Sequence, residues 1–143
     1  MERKDYVLAA LAASAGATFD SVHIQKLLFL LDEEIAPLIG GKKFNFRPHD
    51  YGPFDQDVYH ELEQLAAEEL VEIDCAAGFA LRRYHTTTKG QSKGEAVLKE
   101  LGSDVSDYMR DLSVWIRKQS FNQLVSFVYA KYPNMKVNSV FRG

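Results

Sequence analysis

Four histidines, one cysteine and 20 carboxylates are the residues of this 143-residue chain that could do chemistry. His23, His49, His60 and His85 fall on different predicted elements. None has the HExxH or HxH spacing that sets two imidazoles on one metal ion. His49 with Asp50 and His60 is the one trio that folding could bring together. Cys75 lies beside a predicted turn, with no neighbouring His or helix N-terminus to favour its thiolate, and it has no second cysteine for a disulfide. Gly40-Gly41-Lys42-Lys43 lacks the spacing and the Ser or Thr of a phosphate loop. The expectation is a chain that is not an enzyme and carries no metal and no cofactor.

Residues suited to recognition are more concentrated. Arg47-Pro48-His49-Asp50-Tyr51-Gly52-Pro53-Phe54 mixes cation, imidazole, carboxylate and aromatics with two prolines. Prolines and packed aromatics reduce the entropy lost when a loop is ordered by a partner. Gly52, Pro53, Phe54 and Asp55 read as structural, turning the chain and opening a helix. Arg47, His49, Asp50 and Tyr51 are not needed for that and read as a contact surface. The helix that follows, from about residue 55 to 70, contains Asp55, Asp57, Glu61, Glu63, Glu68 and Glu69 and no lysine or arginine. Asp57, Glu61 and Glu68 share one face, which is either solvated or a docking surface for a basic partner.

The elements that position these residues follow from periodicity. A first helix is expected over about Asp5 to Ala13, with Val7, Leu8 and Leu11 inward. Asp20 or Ser21 can cap a second helix, in which Ile24, Leu27, Leu28, Leu31 and Ile35 form a buried stripe widened by Phe29 and Leu30. Pro37 and Gly40-Gly41 end it. Phe44 and Phe46 alternate with polar neighbours as a short strand, and Tyr51-Gly52-Pro53 turns the chain. Asp55 caps the third helix, with Phe54 and Tyr59 as a hydrophobic staple. Val71 and Ile73, then Phe79, Leu81 and Arg83, alternate as a hairpin around Ala76-Ala77-Gly78. Three helices and a hairpin are the order of a winged helix. Thr86-Thr87-Thr88 can cap a fourth helix that stops near Gly102, a fifth runs from about Asp104 to Arg117, and Ser120 with Gln123 has capping-box spacing for a sixth. The tail Val137-Asn138-Ser139-Val140-Phe141 is apolar enough to dock. The fold class expected is mainly α with a small β-hairpin, a winged-helix-like core over about 5–90 and a helical extension over about 91–143, in one domain.

Composition sets the wider bounds. Hydrophobic residues make up 46% and charged residues 26%, ordinary for a globular domain, and no apolar run approaches a membrane span. The N-terminus lacks the layout of a signal peptide, so a reducing cytoplasm is the expected compartment. The net charge of −3 conceals a split: residues 1–74 hold 15 acidic and 6 basic side chains, and residues 75–143 hold 5 and 11. The halves either steer a partner or neutralise each other. Duplex DNA is bound mainly by Lys and Arg on phosphates, so an acidic helix in the recognition position argues against base reading. Contact through the wing is less disfavoured, because Arg82, Arg83, His85, Lys89, Lys93 and Lys99 cluster there and Tyr84 could stack on a base.

Ile24-Gln25-Lys26-Leu27-Leu28-Phe29-Leu30-Leu31, Tyr51-Gly52-Pro53-Phe54 with Val58-Tyr59 and Leu62, Leu70-Val71-Glu72 and Thr87-Thr88-Lys89-Gly90 carry a family resemblance. With the segment from Leu124 to Val140, they make the chain resemble the Panacea superfamily, which includes SocA-type antitoxins, and more closely the YwgA-like proteins. The usual family pattern has His-Gly-Pro-Val where this chain has Tyr51-Gly52-Pro53-Phe54. The resemblance implies a winged-helix-like fold and, for some relatives, neutralisation of a toxin or its delivery to a protease. The expected function is a protein-interaction module of antitoxin or phage-defence-regulator type, bound through Arg47, His49, Asp50, Tyr51, Asp57, Glu61 and Glu68. The alternative is a DNA-binding regulator, acting as a homodimer, that docks through Arg82, Arg83, Lys89 and Lys93.

Overall fold

The computed structural model describes residues 1–75 and 82–141. Its centre is a helix whose start and interior are both written into the sequence. Asp20 accepts the backbone N–H of His23 at 2.8 Å and so caps α2 (Ser21–Ile35). Gln25 to Leu31 are then all buried, with Leu27 and Leu28 fully enclosed. Each fully buried leucine contributes roughly 1.5–3 kcal/mol relative to exposure, which makes this helix the main source of hydrophobic stabilisation. A short 3-10 turn at Ala36–Leu38, with Pro37 inside it, ends the run.

Against α2 lie α1 (Arg3–Ala12), α5 (Ser103–Lys118) and α6 (Phe121–Lys131), while α3 (Gln56–Ala67) and α4 (Thr88–Leu101) pack on α1. The α1 helix is buried from Tyr6 to Ala12 because its alanines let neighbours approach closely. The approach is tightest at two glycines of α4. A Cβ at Gly94 would stand 2.4 Å from the Ala12 Cβ, and one at Gly90 would stand 1.7 Å from the Leu70 carbonyl oxygen. Thr87 caps α4 by accepting the Gly90 N–H at 2.9 Å, and Ser120 and Gln123 form a reciprocal capping box on α6.

Among the described residues, two small antiparallel sheets complete the architecture. In the first, β1 (Phe19–Asp20), β4 (Val71–Asp74) and β5 (Arg83–Thr86) lie in the order β1-β5-β4. Val71 faces Thr86, Asp74 faces Arg83, and Phe19 faces Tyr84 on the other side. The order α1-β1-α2-α3-β4-β5, with β5 central, is the connectivity of a winged-helix-like core, to which α4, α5 and α6 are added. The chain is thus mainly α with a small β-hairpin. The expected turn at Ala76-Ala77-Gly78, with Phe79 and Leu81, lies outside the described residues.

The second sheet corrects the expected layout between α2 and α3. Phe44 and Phe46 are not strand; the strand is β2 (Arg47–His49), paired with β3 (Gly52–Phe54). The chain reverses at Asp50 and Tyr51, and Gly52 and Pro53 belong to the returning strand. Phe44 instead tucks into the core because Asp32, itself buried, accepts the backbone N–H groups of Lys43 and Phe44 at 3.1 and 2.9 Å. The remaining shifts are small: α1 begins at Arg3 rather than Asp5, and α5 at Ser103 rather than Asp104.

Candidate functional site

The hairpin of β2 and β3 stands on three supports. From one side, Asp55 caps α3 by accepting the Asp57 N–H at 2.9 Å, and its second oxygen takes the Asn45 N–H at 2.7 Å. Gln25 secures the same point from the core, donating to the Asp55 carbonyl at 3.0 Å and accepting its N–H at 3.1 Å. Phe54 and Tyr59 meet as the expected staple, ring centroids 5.7 Å apart. From the other side the C-terminal segment lies along the hairpin. Val140 donates its N–H to the Asp50 carbonyl at 2.9 Å, Ser139 donates its hydroxyl to the same oxygen at 3.2 Å, and Asn138 reaches the Pro48 carbonyl at 3.3 Å. Tyr129 ties this strap to α6 through a 2.6 Å hydrogen bond to the Ser139 hydroxyl.

These supports use backbone groups and leave the side chains at the tip outward. Arg47, His49, Asp50 and Tyr51 are all exposed. Tyr51 packs edge-on against Phe121 at 5.2 Å and His49 lies over Phe54 at 4.8 Å. The four residues expected to form a contact surface are therefore brought together, on a backbone fixed from both sides.

The acidic face of α3 is arranged differently. Arg3 stands 3.3 Å from Asp57 and 3.6 Å from Glu61, with its guanidinium over the Phe44 ring, and Lys4 stands 2.9 Å from Glu68. Its hydrogen bond to Glu68 raises the Lys4 pKa and lowers that of Glu68. The three carboxylates are thus engaged by α1. Asp57 also meets His60 at 3.2 Å. His60 and His49 turn to different neighbours, so the trio with Asp50 is not assembled, and among the described residues no group of three His, Cys, Asp or Glu is placed to hold a metal ion.

Basic residues near the wing divide in the same way. Arg82 reaches Glu63 at 3.5 Å and His85 reaches Glu72 at 3.1 Å, whereas Arg83, Lys89 and Lys93 are exposed. Lys131 of α6 meets Glu34 of α2, another link between the basic and acidic parts of the chain.

Lys26 was hidden by its context, a lone cation inside the apolar run of α2. It is 3% exposed, and among the described residues its ammonium has no hydrogen-bond partner. Burial pushes its pKa down to about 8, against the opposing pull of Asp20. The side chain lines a cavity of about 200 Å³ between α2 and the hairpin, whose walls include Ser21, Val22, Tyr51, Pro53 and Tyr59. Gly52 closes one side: a Cβ there would stand 3.3 Å from the Lys26 Nζ, and its φ of +109° suits glycine.

In comparisons with known proteins, no family model and no curated protein matches the chain. Among the described residues no helix is long and apolar enough to cross a membrane.

Proposed function

We propose that the chain is a non-enzymatic protein-interaction module of antitoxin or defence-regulator type, and that its contact surface is the strapped hairpin carrying Arg47, His49, Asp50 and Tyr51. One observation carries this reading: the hairpin backbone is held by Asp55, Gln25 and the C-terminal strap while its four tip side chains stay outward. A surface fixed before binding loses little entropy on binding. Asp57, Glu61 and Glu68 leave the contact set and become the seat of α1. A toxin-like or protease-component protein is the partner in view.

DNA binding through the wing is the second reading, favoured by the exposure of Arg83, Lys89 and Lys93. It is weakened by the Arg82–Glu63 pair, which sets a carboxylate of α3 beside the wing and occupies one of its cations. The two readings separate in one comparison. Arg47→Glu with Tyr51→Ala is expected to abolish capture of a protein partner from the native cell without changing the melting temperature. Arg82→Glu with Arg83→Glu is expected to leave capture intact. Retardation of duplex DNA at moderate salt that only the second pair abolishes would replace the interaction reading with the regulator reading. Charge reversal at Asp57 and Glu61 is expected to lower stability by about 1 kcal/mol through Arg3, whatever the partner.

A further inference from the structure

We propose that the cavity between α2 and the hairpin is a carboxylate site, in which the Lys26 ammonium holds the anionic head of a small ligand with an apolar body. The Lys26 side chain is almost wholly buried, its ammonium opens on this cavity with no acceptor from the described residues, and an incoming oxyanion supplies one. The room is real: the cavity is about 200 Å³, and Gly52 withholds the side chain that would close over the Nζ.

The chemistry of the walls selects among anions. Tyr51, Pro53, Phe54 and Tyr59 offer apolar and aromatic surface to the body of the ligand. Among the described residues Lys26 is the one lysine or arginine of the lining, whereas Asp50 lines the cavity and Asp20 acts on Lys26 from the helix cap. With two carboxylates already near one ammonium, a second charge on the ligand adds only repulsion, so a monoanion is favoured over a phosphate dianion. The carboxylate has two natural sources, a free aromatic or aliphatic acid and the C-terminus of a peptide. The site stands whether or not the hairpin tip meets a protein.

Titration of the whole chain, followed by amide NMR, tests the site with benzoate, inorganic phosphate, and a short peptide ending in phenylalanine as the free acid or the amide. Benzoate is expected to shift the Val22 and Gly52 amides saturably, and Lys26→Met is expected to weaken it by roughly tenfold or more. Tighter binding of the free-acid peptide than of benzoate, with none by its amide, identifies a chain terminus as the source; the reverse order identifies a free acid. A second measurement covers a variant that fails to fold: in the wild-type chain, benzoate affinity falls as pH rises from 7 to about 9.5 and the ammonium loses its proton. The other titratable groups that face the ammonium or the cavity are Asp20 and His23 at the start of α2 and His49, Asp50, Tyr51 and Tyr59 of the lining. Absence of any saturable shift up to about 10 mM benzoate, unchanged affinity in Lys26→Met, or tighter binding of phosphate would overturn the proposal.

Discussion

Val140 donates its backbone N–H to the carbonyl oxygen of Asp50 at 2.9 Å, so the C-terminal segment fastens the tip of a hairpin built from the middle of the chain. The pair β2–β3 is only three residues long on each side. Pro48 stands opposite Pro53 at the pair whose N–H groups would point away from the partner strand, so the ladder rests on the flanking pairs Arg47–Phe54 and His49–Gly52. The strap adds to this short ladder, from outside, at its turn. Val140→Pro removes this donor. It is expected to speed hydrogen exchange at Tyr51 and Gly52 by roughly three- to tenfold, with the amides of Leu27 and Leu28 unchanged. Unchanged exchange at the hairpin would show that the strap is not what fixes it.

Gly90 is expected to tolerate no larger residue. A Cβ would fall 1.7 Å from the Leu70 carbonyl oxygen, a backbone atom that also accepts the Thr87 N–H. Gly90→Ala must separate α4 from the start of β4 and is expected to cost about 2 kcal/mol or more by denaturant unfolding. A neutral result would mean that α4 packs less closely than described.

Lys26 gives stability an upward slope with pH. Its ammonium is pushed down to about 8 in the folded chain, against an ordinary 10.5. Below about 8 both states are protonated and the cost of burying the charge is fully present. Between about 8 and 10.5 the unfolded chain holds the extra proton, so this group's contribution improves as pH rises, by about 3 kcal/mol at most. Above that window the cost is gone. Lys26→Met is therefore expected to be as stable as the wild type or more so at pH 7, with the difference closing by about pH 10.5. Chemical denaturation of both proteins at pH 7 and about 10.5 measures this.

His23 tilts the other way. Its Nδ1 meets the Asp20 carboxylate at 2.8 Å and its Nε2 the Gln119 carbonyl at 2.9 Å, so both nitrogens face acceptors and the imidazolium donates twice. The hydrogen bond to Asp20 is the main cause that raises its pKa above the ordinary 6.5, with burial opposing. The stabilisation is complete below about 6.5 and is lost as pH rises through the raised value. The difference in stability between the wild type and His23→Phe is expected to be larger at pH 6 than at pH 8.5. Thermal melts at the two values check it.

Local signals are legible in the sequence and long-range ones are not. Asp20, Asp55, Thr87 and Ser120 all cap the helices assigned to them, because a cap and its helix are neighbours in sequence. The strand at Arg47–His49 was displaced by the alternation of Phe44 and Phe46, which the buried carboxylate of Asp32 instead pulls into a loop. The two-residue β1 is too short to show a period. The end of α3 carried no glycine signal, because Glu69 itself takes the left-handed conformation at φ 62° while Leu70 donates to the Leu65 carbonyl. The acidic face of α3 looked free because Arg3 and Lys4, more than fifty residues away, are invisible to periodicity. Lys26 looked like an interruption of an apolar stripe, and only the folded hairpin gives it a cavity.

On the proposed reading the hairpin tip, and not α3 or the wing, meets the partner. Site-specific photocrosslinking in the native cell can locate the contact, with a benzoylphenylalanine placed at Tyr51 and, in a separate protein, at Lys93. The expected result is a discrete protein adduct from position 51 that Arg47→Glu removes, and none from position 93. Adducts to nucleic acid, or a protein adduct formed only from position 93, would contradict it.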